Sequence, residues 1–288
     1  LKRALQLLNF EVDHVCNLTD IDDKIIRRCN AEDRSLRSLT EEYEQCFHAD
    51  LSRLNVVPAR IYPRATGEID TIVEMISTLV EKGLAYRAES DGSYYYRVDK
   101  FDGYGTNLVN LASSDASEVA SDDVGGSNSR DFALWKAPKA GFEKDDALFD
   151  TALGRGRPGW HIECSALIQK HLGDRIDLHL GGTDLKFPHH ENEIAQSEGY
   201  SGKKFCGCWI HNGFVTVGSE KMSKSLGNFK TLDDMCPRGR DVRAFRFGVV
   251  SSYYRGPLRL TDEVMTSNRR AIDRFDKVYV KLKALDTV

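Results

Sequence analysis

The sequence predicts an α/β protein in which short buried strands lead into amphipathic helices. An apolar run at residues 176–180 has the length of a buried strand, and two glycines and a helix start follow it. Residues 11–18 have strand character and end in a cluster of acids at residues 19–23. Ligands of open α/β sheets bind at the carboxyl ends of strands. We therefore expect both strand ends to lie near a ligand site, although the acids are also able to cap the helix that follows them.

The composition is that of an ordinary soluble globular protein, with 41% hydrophobic and 29% charged residues in a chain of 288. This length accommodates one large domain or two. The net charge of −4 provides no global basic field, although a local basic face is sufficient to bind RNA. Seven cysteines, an odd number at irregular spacing, indicate reduced thiols in a cytosol-like compartment. No apolar run has the length of a membrane span, so we expect no membrane partner and a cytoplasmic location, with an organellar form left open.

Hydrophobic periodicity and turn residues predict the remaining elements. The apolar stripe of residues 66–82 predicts a helix, and Gly83 is placed to end it. Asp91 and Gly92 form a good hairpin turn between strands predicted at residues 84–86 and 93–98. Further helices are predicted at residues 1–9, 36–54, 160–173, 241–250 and 261–285, and a further strand at residues 209–217.

Residues 107–130 form an acidic, serine-rich tract of low complexity. Such a composition buries too little apolar surface to offset the entropy that is lost on ordering, so we predict a flexible insertion. A phosphorylatable regulatory loop is the alternative interpretation.

Residues 179–193 contain the most informative pattern in the chain. Pro188 suits the first turn of a helix, because its fixed φ matches that position and its missing N–H is not needed there. A helix that begins near Pro188 places His189 and Glu193 on one face, four residues apart. An imidazole beside a carboxylate suits a metal, and the free amides of the helix start suit an anion. A surface helix with a histidine–glutamate pair is the alternative.

Segment 221–225, Lys-Met-Ser-Lys-Ser, is identical to the signature loop of class I aminoacyl-tRNA synthetases. It follows a predicted strand, and five further parts of the sequence resemble cysteinyl-tRNA synthetase. These parts are residues 17–24 (Asn-Leu-Thr-Asp-Ile-Asp-Asp-Lys), 131–136 (Asp-Phe-Ala-Leu-Trp-Lys), 156–166 (Gly-Arg-Pro-Gly-Trp-His-Ile-Glu-Cys-Ser-Ala), 181–184 (Gly-Gly-Thr-Asp) with 187–197 (Phe-Pro-His-His-Glu-Asn-Glu-Ile-Ala-Gln-Ser), and 211–215 (His-Asn-Gly-Phe-Val). The resemblance covers nearly the whole chain outside the serine-rich tract and the extreme C-terminus.

The resemblance implies an α/β fold with a Rossmann-type class I synthetase catalytic core and a connective insertion, followed by the start of an α-helical anticodon-binding domain. The implied boundaries are residues 1–85 for the first half of the core, 86–155 for the insertion, 156–217 for the second half of the core, 218–260 for the signature loop and stem-contact region, and 261–288 for the start of the anticodon-binding domain. The family's His-Ile-Gly-His motif does not occur in this sequence. We therefore expect a fragment that lacks the N-terminal ATP-binding segment and most of the anticodon-binding domain.

The resemblance also implies an activity, namely ATP-dependent activation of L-cysteine to cysteinyl-adenylate and its transfer to tRNA(Cys), with one catalytic zinc. By motif match, Cys164, His189 and Glu193 are three of the zinc ligands, and a cysteine near the family's N-terminus is the fourth. Zinc binds thiolate strongly and hydroxyl poorly, so it can select cysteine over serine by direct coordination. Without the resemblance, Cys164 would be interpreted as a core cysteine in an apolar helix.

The same match implies roles for residues around the substrates. Trp160, four residues before Cys164, is expected to wall the cysteine pocket, with plain core packing as the alternative. Asp184 is expected to bind the substrate ammonium or a ribose hydroxyl, and Thr19 to line the same cleft. The residues expected to contact ATP, which binds with Mg²⁺, are Lys221, Ser223, Lys224, Gly182 and Asp184. The two lysines are the expected catalytic residues, because cations stabilise the charge that develops on the leaving pyrophosphate.

Two other functions remain open from the sequence. A related ligase that joins activated cysteine to a small amine, such as an amino sugar, would share the zinc site and the adenylation chemistry. The helix predicted at residues 261–285 favours the tRNA enzyme only weakly. A non-enzymatic paralogue that binds zinc or RNA is the second alternative, and the missing ATP-binding turn is its main support.

Overall fold

The structure, a computed structural model, describes residues 1–111, 126, 128, 130–217, 220–223, 227–259 and 261–285. Most of the predicted flexible insertion at residues 107–130 lies outside this set, and so does Lys224. Helices and strands are interspersed along the described residues, which confirms the predicted α/β class. Among the described helices, none is both long enough and apolar enough to cross a membrane.

The helices are α1 (Lys2–Leu7), α2 (Asp23–Ala31), α3 (Leu36–Arg53), α4 (Ile69–Glu81), α5 (Trp160–Leu172), α6 (Glu191–Ser201), α7 (Leu232–Met235), α8 (Gly239–Ser251) and α9 (Asp262–Leu285). The strands are β1 (Ala85–Arg87), β2 (Tyr94–Tyr96), β3 (Phe132–Lys136), β4 (Arg157–Pro158), β5 (Ile176–Gly182), β6 (Cys206–Asn212), β7 (Val215–Val217), β8 (Glu220–Lys221) and β9 (Leu258–Arg259). Most predicted elements are confirmed to within a few residues. The predicted hairpin is formed by β1 and β2, which pair antiparallel, and Gly92 between them has a φ of +76° that favours glycine.

The strand predicted at residues 11–18 is the main error in the sequence-based assignment. Only Val15 and Leu18 pair there, as isolated parallel bridges to Ile61 and Arg64. Pro63 lies in the partner segment and has no N–H to donate, so the hydrogen bonding between the two segments is discontinuous. The acids that follow do cap a helix, because the Asp22 side chain accepts hydrogen bonds from the first backbone amides of α2.

The described sheets are small. Strands β1 to β4 form one sheet in chain order, with antiparallel pairing throughout. Strands β5 and β6 form a two-stranded sheet. In the third sheet β7 is central, and it pairs antiparallel with β8 and parallel with β9.

The larger of two compact units comprises Leu1–Phe47, Val57–His179 and Asp184–Trp209. Its main core contains residues of α4, α5, β2 and β3, including the fully buried Ile72 and Ile162. Complete burial of an isoleucine side chain contributes about 1.5–3 kcal/mol. This core fixes α5, the helix that carries Trp160 and Cys164.

Helix α5 starts directly against the backbone of β3. A Cβ atom added at Gly159, the residue before the helix, would lie only 2.1 Å from the carbonyl oxygen of Ala133. Glycine is therefore required for this close approach. The start of α5 therefore lies against the backbone of β3.

The smaller unit comprises His48–Val56, Leu180–Thr183 and Ile210–Val288. It contains the β8–β7–β9 sheet and a core formed by Cys236, Val242, Ala244 and Met265. Helices α8 and α9 supply three of these four residues. The exposed ion pair of Arg243 with Asp276 joins the two helices.

Candidate metal centre and active site

Three potential metal ligands meet inside the larger unit. Cys164 lies on α5, His189 in the turn that precedes α6, and Glu193 in the first turn of α6. One ligand atom from each residue lies within 4.8 Å of the others, and all three residues are buried. Thiolate, imidazole and carboxylate at this spacing form a ligand set typical of zinc.

The turn before α6 agrees with the sequence-based prediction of a helix start near Pro188. A wide helical turn at Lys186–His190 leads directly into α6 at Glu191, and Phe187 is the residue of this turn with a non-helical backbone. Phe187 has an extended backbone, with φ −141° and ψ 135°, because a residue before proline avoids the helical region. His189 and Glu193 share a face, with His189 Nε2 2.9 Å from Glu193 Oε1.

Glu193 is a buried carboxylate with contacts on two sides. His179 Nε2 lies 2.7 Å from its Oε2 atom. The buried Oε1 atom lies 2.9 Å from His189 Nε2, but the geometry of this contact is not that of a hydrogen bond. Burial opposes ionisation, but the neighbouring His179 and His189 together outweigh this effect and lower the pKa of the Glu193 carboxyl below its usual range. A cation beside Oε1 would satisfy this orphaned atom, so the site fits a metal.

Cys164 also fits a metal-binding role. Its Sγ atom accepts a hydrogen bond of 3.3 Å from the Asn17 side-chain amide. Burial raises the pKa of the Cys164 thiol well above its ordinary value, and the carboxylate of Glu193 adds to this effect. A thiolate at this position therefore requires a cation, and metal coordination deprotonates a thiol outright.

Two aromatic rings hold His189 in place. The indole ring of Trp160 stacks on the imidazole, with ring centroids 4.3 Å apart. On another side, His161 Nδ1 lies 2.9 Å from His189 Nδ1. Burial lowers the pKa of His161 well below its ordinary value, so its ring is neutral. In the tautomer in which His189 donates from Nδ1, its Nε2 lone pair is available for a metal.

A second group of potential ligands, His179, His190 and Glu193, shares the Glu193 carboxylate with the first. Only the first group offers a thiolate, the ligand that zinc prefers among these types. In that arrangement His179 orients Glu193 from outside the ligand set.

The sequence-based prediction included neither His179 nor His161 in the site. The position of His161 three residues before Cys164, on nearly the same face of a predicted helix, was the available signal.

The residues predicted to bind the amino acid lie in the larger unit with the ligand group. Trp160 contacts His189, as described, and is 38% exposed, so one part of its ring is open to solvent. Thr19 is exposed and lies beside the buried carboxyl of Glu163. Asp184 is exposed in a short turn, Thr183–Leu185, which follows β5.

The residues predicted to bind ATP through the signature loop lie in the smaller unit. The ammonium of Lys221 lies 4.1 Å from the centroid of the Phe214 ring. The backbone N–H of Ser223 donates a 2.8 Å hydrogen bond to the side chain of Asn228. Gly182 is the last residue of β5, and Lys224 lies outside the described residues. The roles of these residues stay predictions.

The fold is that of a class I synthetase catalytic core. The chain is similar to Mycobacterium tuberculosis methionyl-tRNA synthetase in complex with methionyl-adenylate, with a TM-score of 0.64 over 92% of this chain and 62% of that chain. The sequence identity is 15%, so this likeness concerns the fold alone, and it confirms the expected Rossmann-type core. Residues 1–270 match the family described as tRNA synthetases class I (C) catalytic domain, and the chain belongs to this family.

Curated relatives confirm the resemblance to cysteinyl-tRNA synthetase. The chain is 44% identical over 285 residues to the cysteine–tRNA ligase of Geobacillus thermodenitrificans (strain NG80-2). It is 45% identical over 290 residues to the cysteine–tRNA ligase of Lactobacillus helveticus (strain DPC 4571). Both matches cover 98% of this chain, but they cover 59% of the first relative and 60% of the second. The chain therefore spans about three fifths of the length of these relatives.

Proposed function

We propose that the full-length protein containing this chain is a cysteine–tRNA ligase. It activates L-cysteine with ATP to cysteinyl-adenylate and then transfers the cysteinyl group to tRNA(Cys). The observation that carries the proposal is the convergence of Cys164, His189 and Glu193 at a buried site in a class I synthetase core. We further propose that the protein acts in the cytoplasm.

In this proposal Cys164, His189 and Glu193 hold one zinc ion, with His179 and Asn17 orienting two of the ligands. When bound, zinc supplies a soft cation that accepts a substrate thiolate and discriminates against a hydroxyl. The partly exposed ring of Trp160 walls the pocket for the cysteine side chain.

The remaining roles belong to the polar residues of the two units. Asp184 binds the substrate ammonium or the ATP ribose, and Thr19 lines the cleft. Lys221, Ser223 and Lys224 of the signature loop contact the phosphates of ATP–Mg²⁺, and the two lysines stabilise the charge that develops on pyrophosphate. Gly182 lies close to the nucleotide. Residues 1–85 and 156–217 are assigned to the catalytic core, 86–155 to a connective insertion, 218–260 to the signature loop and stem-contact region, and 261–288 to the start of an anticodon-binding domain.

Cobalt substitution of the full-length protein tests the metal role directly. We expect cysteine to add a sulfur-to-cobalt charge-transfer band, whereas serine leaves the spectrum unchanged because its hydroxyl stays protonated. An apolar pocket separates such near-isosteres by only about 10–200-fold, so a larger preference for cysteine in ATP–pyrophosphate exchange is also expected. Cysteine that binds without altering the cobalt spectrum would show that the thiol is not a ligand.

Two further measurements complete the test. His189→Ala and Cys164→Ala should each lower the zinc content, whereas Cys208→Ala, at an exposed position, should leave it unchanged. Full zinc occupancy in the first two variants contradicts the ligand assignment.

Loading of cysteine onto tRNA(Cys) and not onto an amino sugar separates the proposed activity from that of a related small-molecule ligase.

A further inference from the structure

Glu191, the first residue of α6, lies between His189 and Glu193 in the sequence and is fully buried. Its carboxylate accepts four hydrogen bonds from a segment that is more than 80 residues away in the chain. The donors are the backbone N–H groups of Gly105 (2.8 Å), Asn107 (3.2 Å) and Leu108 (2.9 Å) and the side-chain amide of Asn107 (3.0 Å). Hydrogen bonds to an ionised acceptor are the strong ones in proteins.

The backbone of this segment is shaped to present its amides to one anion. Gly105 has a φ of +78°, in the left-handed region that favours glycine. A Cβ atom at this position would lie 2.4 Å from the Cδ1 atom of Leu111, so a larger residue would also require the Leu111 side chain to move. Successive amides that converge in this way form a concave anion site, and here the anion is a side chain of the protein itself.

Tyr104, in the same segment, makes two further contacts with residues that neighbour the proposed metal ligands in the sequence. Its hydroxyl donates a 2.5 Å hydrogen bond to the side-chain oxygen of Asn192. Its ring lies edge-on to Phe187, with centroids 6.3 Å apart. Phe187 lies in the turn that carries His189, and Asn192 immediately precedes Glu193. Tyr104 therefore contacts the ligand-bearing stretch on both sides of His189.

We propose that residues 103–108 form a clamp that holds His189 and Glu193 in ligand geometry, with Glu191 as the positioning residue. The inference rests on the proposed metal site. It adds that the metal affinity of this site depends on residues 103–108, which contain none of the proposed ligands. Glu191 contacts no metal ligand side chain in the hydrogen bonds described, so it acts through the backbone of α6. Because coupling between two binding events is reciprocal, metal binding should also stabilise residues 103–108.

Cobalt(II) titration of the full-length protein against a chelator of known affinity tests the clamp. Glu191→Gln keeps the size of the side chain but replaces one accepting oxygen with a donor that faces the Leu108 amide. We expect this variant to bind cobalt roughly tenfold or more weakly, since loss of an outer contact that orients metal ligands typically has an effect of 10–100-fold. The d–d bands of its cobalt complex should also broaden or shift, because the ligand geometry is no longer fixed.

A matched control lies at the other end of the same helix. Glu198 accepts a hydrogen bond of 3.0 Å from the Phe205 amide, so Glu198→Gln perturbs one glutamate-to-backbone contact of α6 far from its first turn. We expect its cobalt affinity to stay within about threefold of the wild type. Tyr104→Phe removes only the bond to Asn192, and it provides a milder test if Glu191→Gln fails to fold.

Hydrogen exchange provides the reciprocal measurement. Metal should slow exchange at the amides of Gly105, Asn107 and Leu108 in the wild type and in Glu198→Gln. The clamp is overturned if the wild type, Glu191→Gln and Tyr104→Phe bind cobalt with equal affinity. It is also overturned if metal does not change the exchange rate of these amides. Neither result contradicts the metal site itself. A wild-type protein that binds no cobalt overturns the proposed metal site and the clamp together.

Discussion

The indole ring of Trp160 lies against the imidazole ring of His189, with centroids 4.3 Å apart and ring planes 27° from parallel. The two residues come from different elements, α5 and the turn before α6, so the stack depends on how these elements pack. A histidine that binds a metal must keep its ring in one orientation. The stack limits rotation of the His189 ring on the side that faces α5.

Loss of this stack should weaken metal binding. Trp160→Ala is expected to lower cobalt affinity by about two- to tenfold, because an aromatic pair contributes about 0.5–1.5 kcal/mol beyond its buried area. Trp160→Phe keeps an aromatic ring at the position and should retain most of the affinity. Competition titrations measure both variants. Equal affinities in Trp160→Ala and the wild type would mean that the stack does not orient the ligand.

Arg157 is a buried cation that pairs with two carboxylates. Its Nε atom lies 3.0 Å from Glu143 Oε1, and its guanidinium also contacts Asp23. Arg157→Ala should lower the free energy of unfolding by about 3–5 kcal/mol, because the buried carboxylate of Glu143 loses the cation beside it, although Asp23 keeps its pair with Lys136. Arg155→Ala is the control, since it removes only an exposed pair with Asp145, worth about 0–1 kcal/mol. Urea denaturation measures the difference, and similar effects in the two variants would contradict the prediction.

Glu163 should make the free energy of unfolding decrease as the pH rises, which is opposite to the effect of a carboxylate that is paired with a cation in the folded state. Burial raises the pKa of its carboxyl well above the ordinary value, and the nearby Asp20 and Asp22 add to this effect. Because the folded-state pKa exceeds the unfolded value of about 4.3, stability falls as the pH rises from that value towards the folded-state pKa.

Glu163→Gln removes this titration. We expect the variant to match the wild type near pH 4 and to be the more stable of the two at pH 7, in denaturation curves measured across this range. Glu41→Gln, which removes an exposed pair with Arg37, should instead follow the pH dependence of the wild type. A stability difference between Glu163→Gln and the wild type that does not grow with pH would show that Glu163 is ionised in the folded protein.

Lys224 should carry much of the adenylation step although it lies outside the described residues. Lys224→Ala is expected to slow ATP–pyrophosphate exchange on the order of 100-fold, since removal of one group that stabilises transition-state charge has effects of this size. Zinc content should not change. Lys230→Ala, an exposed lysine beyond the signature loop, is the control and should keep the wild-type rate. Unchanged exchange in Lys224→Ala would show that this lysine has no part in the step.

Local patterns predicted much of the secondary structure. Helix α4 was predicted because its apolar side chains repeat with the helical period, and the β1–β2 hairpin because Asp91 and Gly92 suit a tight turn. The secondary-structure prediction was wrong where strand formation depends on a segment that is distant in the sequence. Residues 11–18 are extended, yet they form only isolated bridges, because pairing depends on a partner segment that contains Pro63.

The sequence by itself determined which residue types are available as ligands and that His189 and Glu193 share a face, since a spacing of four residues is a property of one turn. Only the tertiary structure decided that Cys164 joins them, that His161 and His179 contact the ligands, and that Glu191 is held by residues 103–108. Each of these contacts joins residues at least 14 positions apart in the chain. Such contacts depend on how α5, α6 and β5 pack together, and packing is set by the shape of the whole core rather than by any local period.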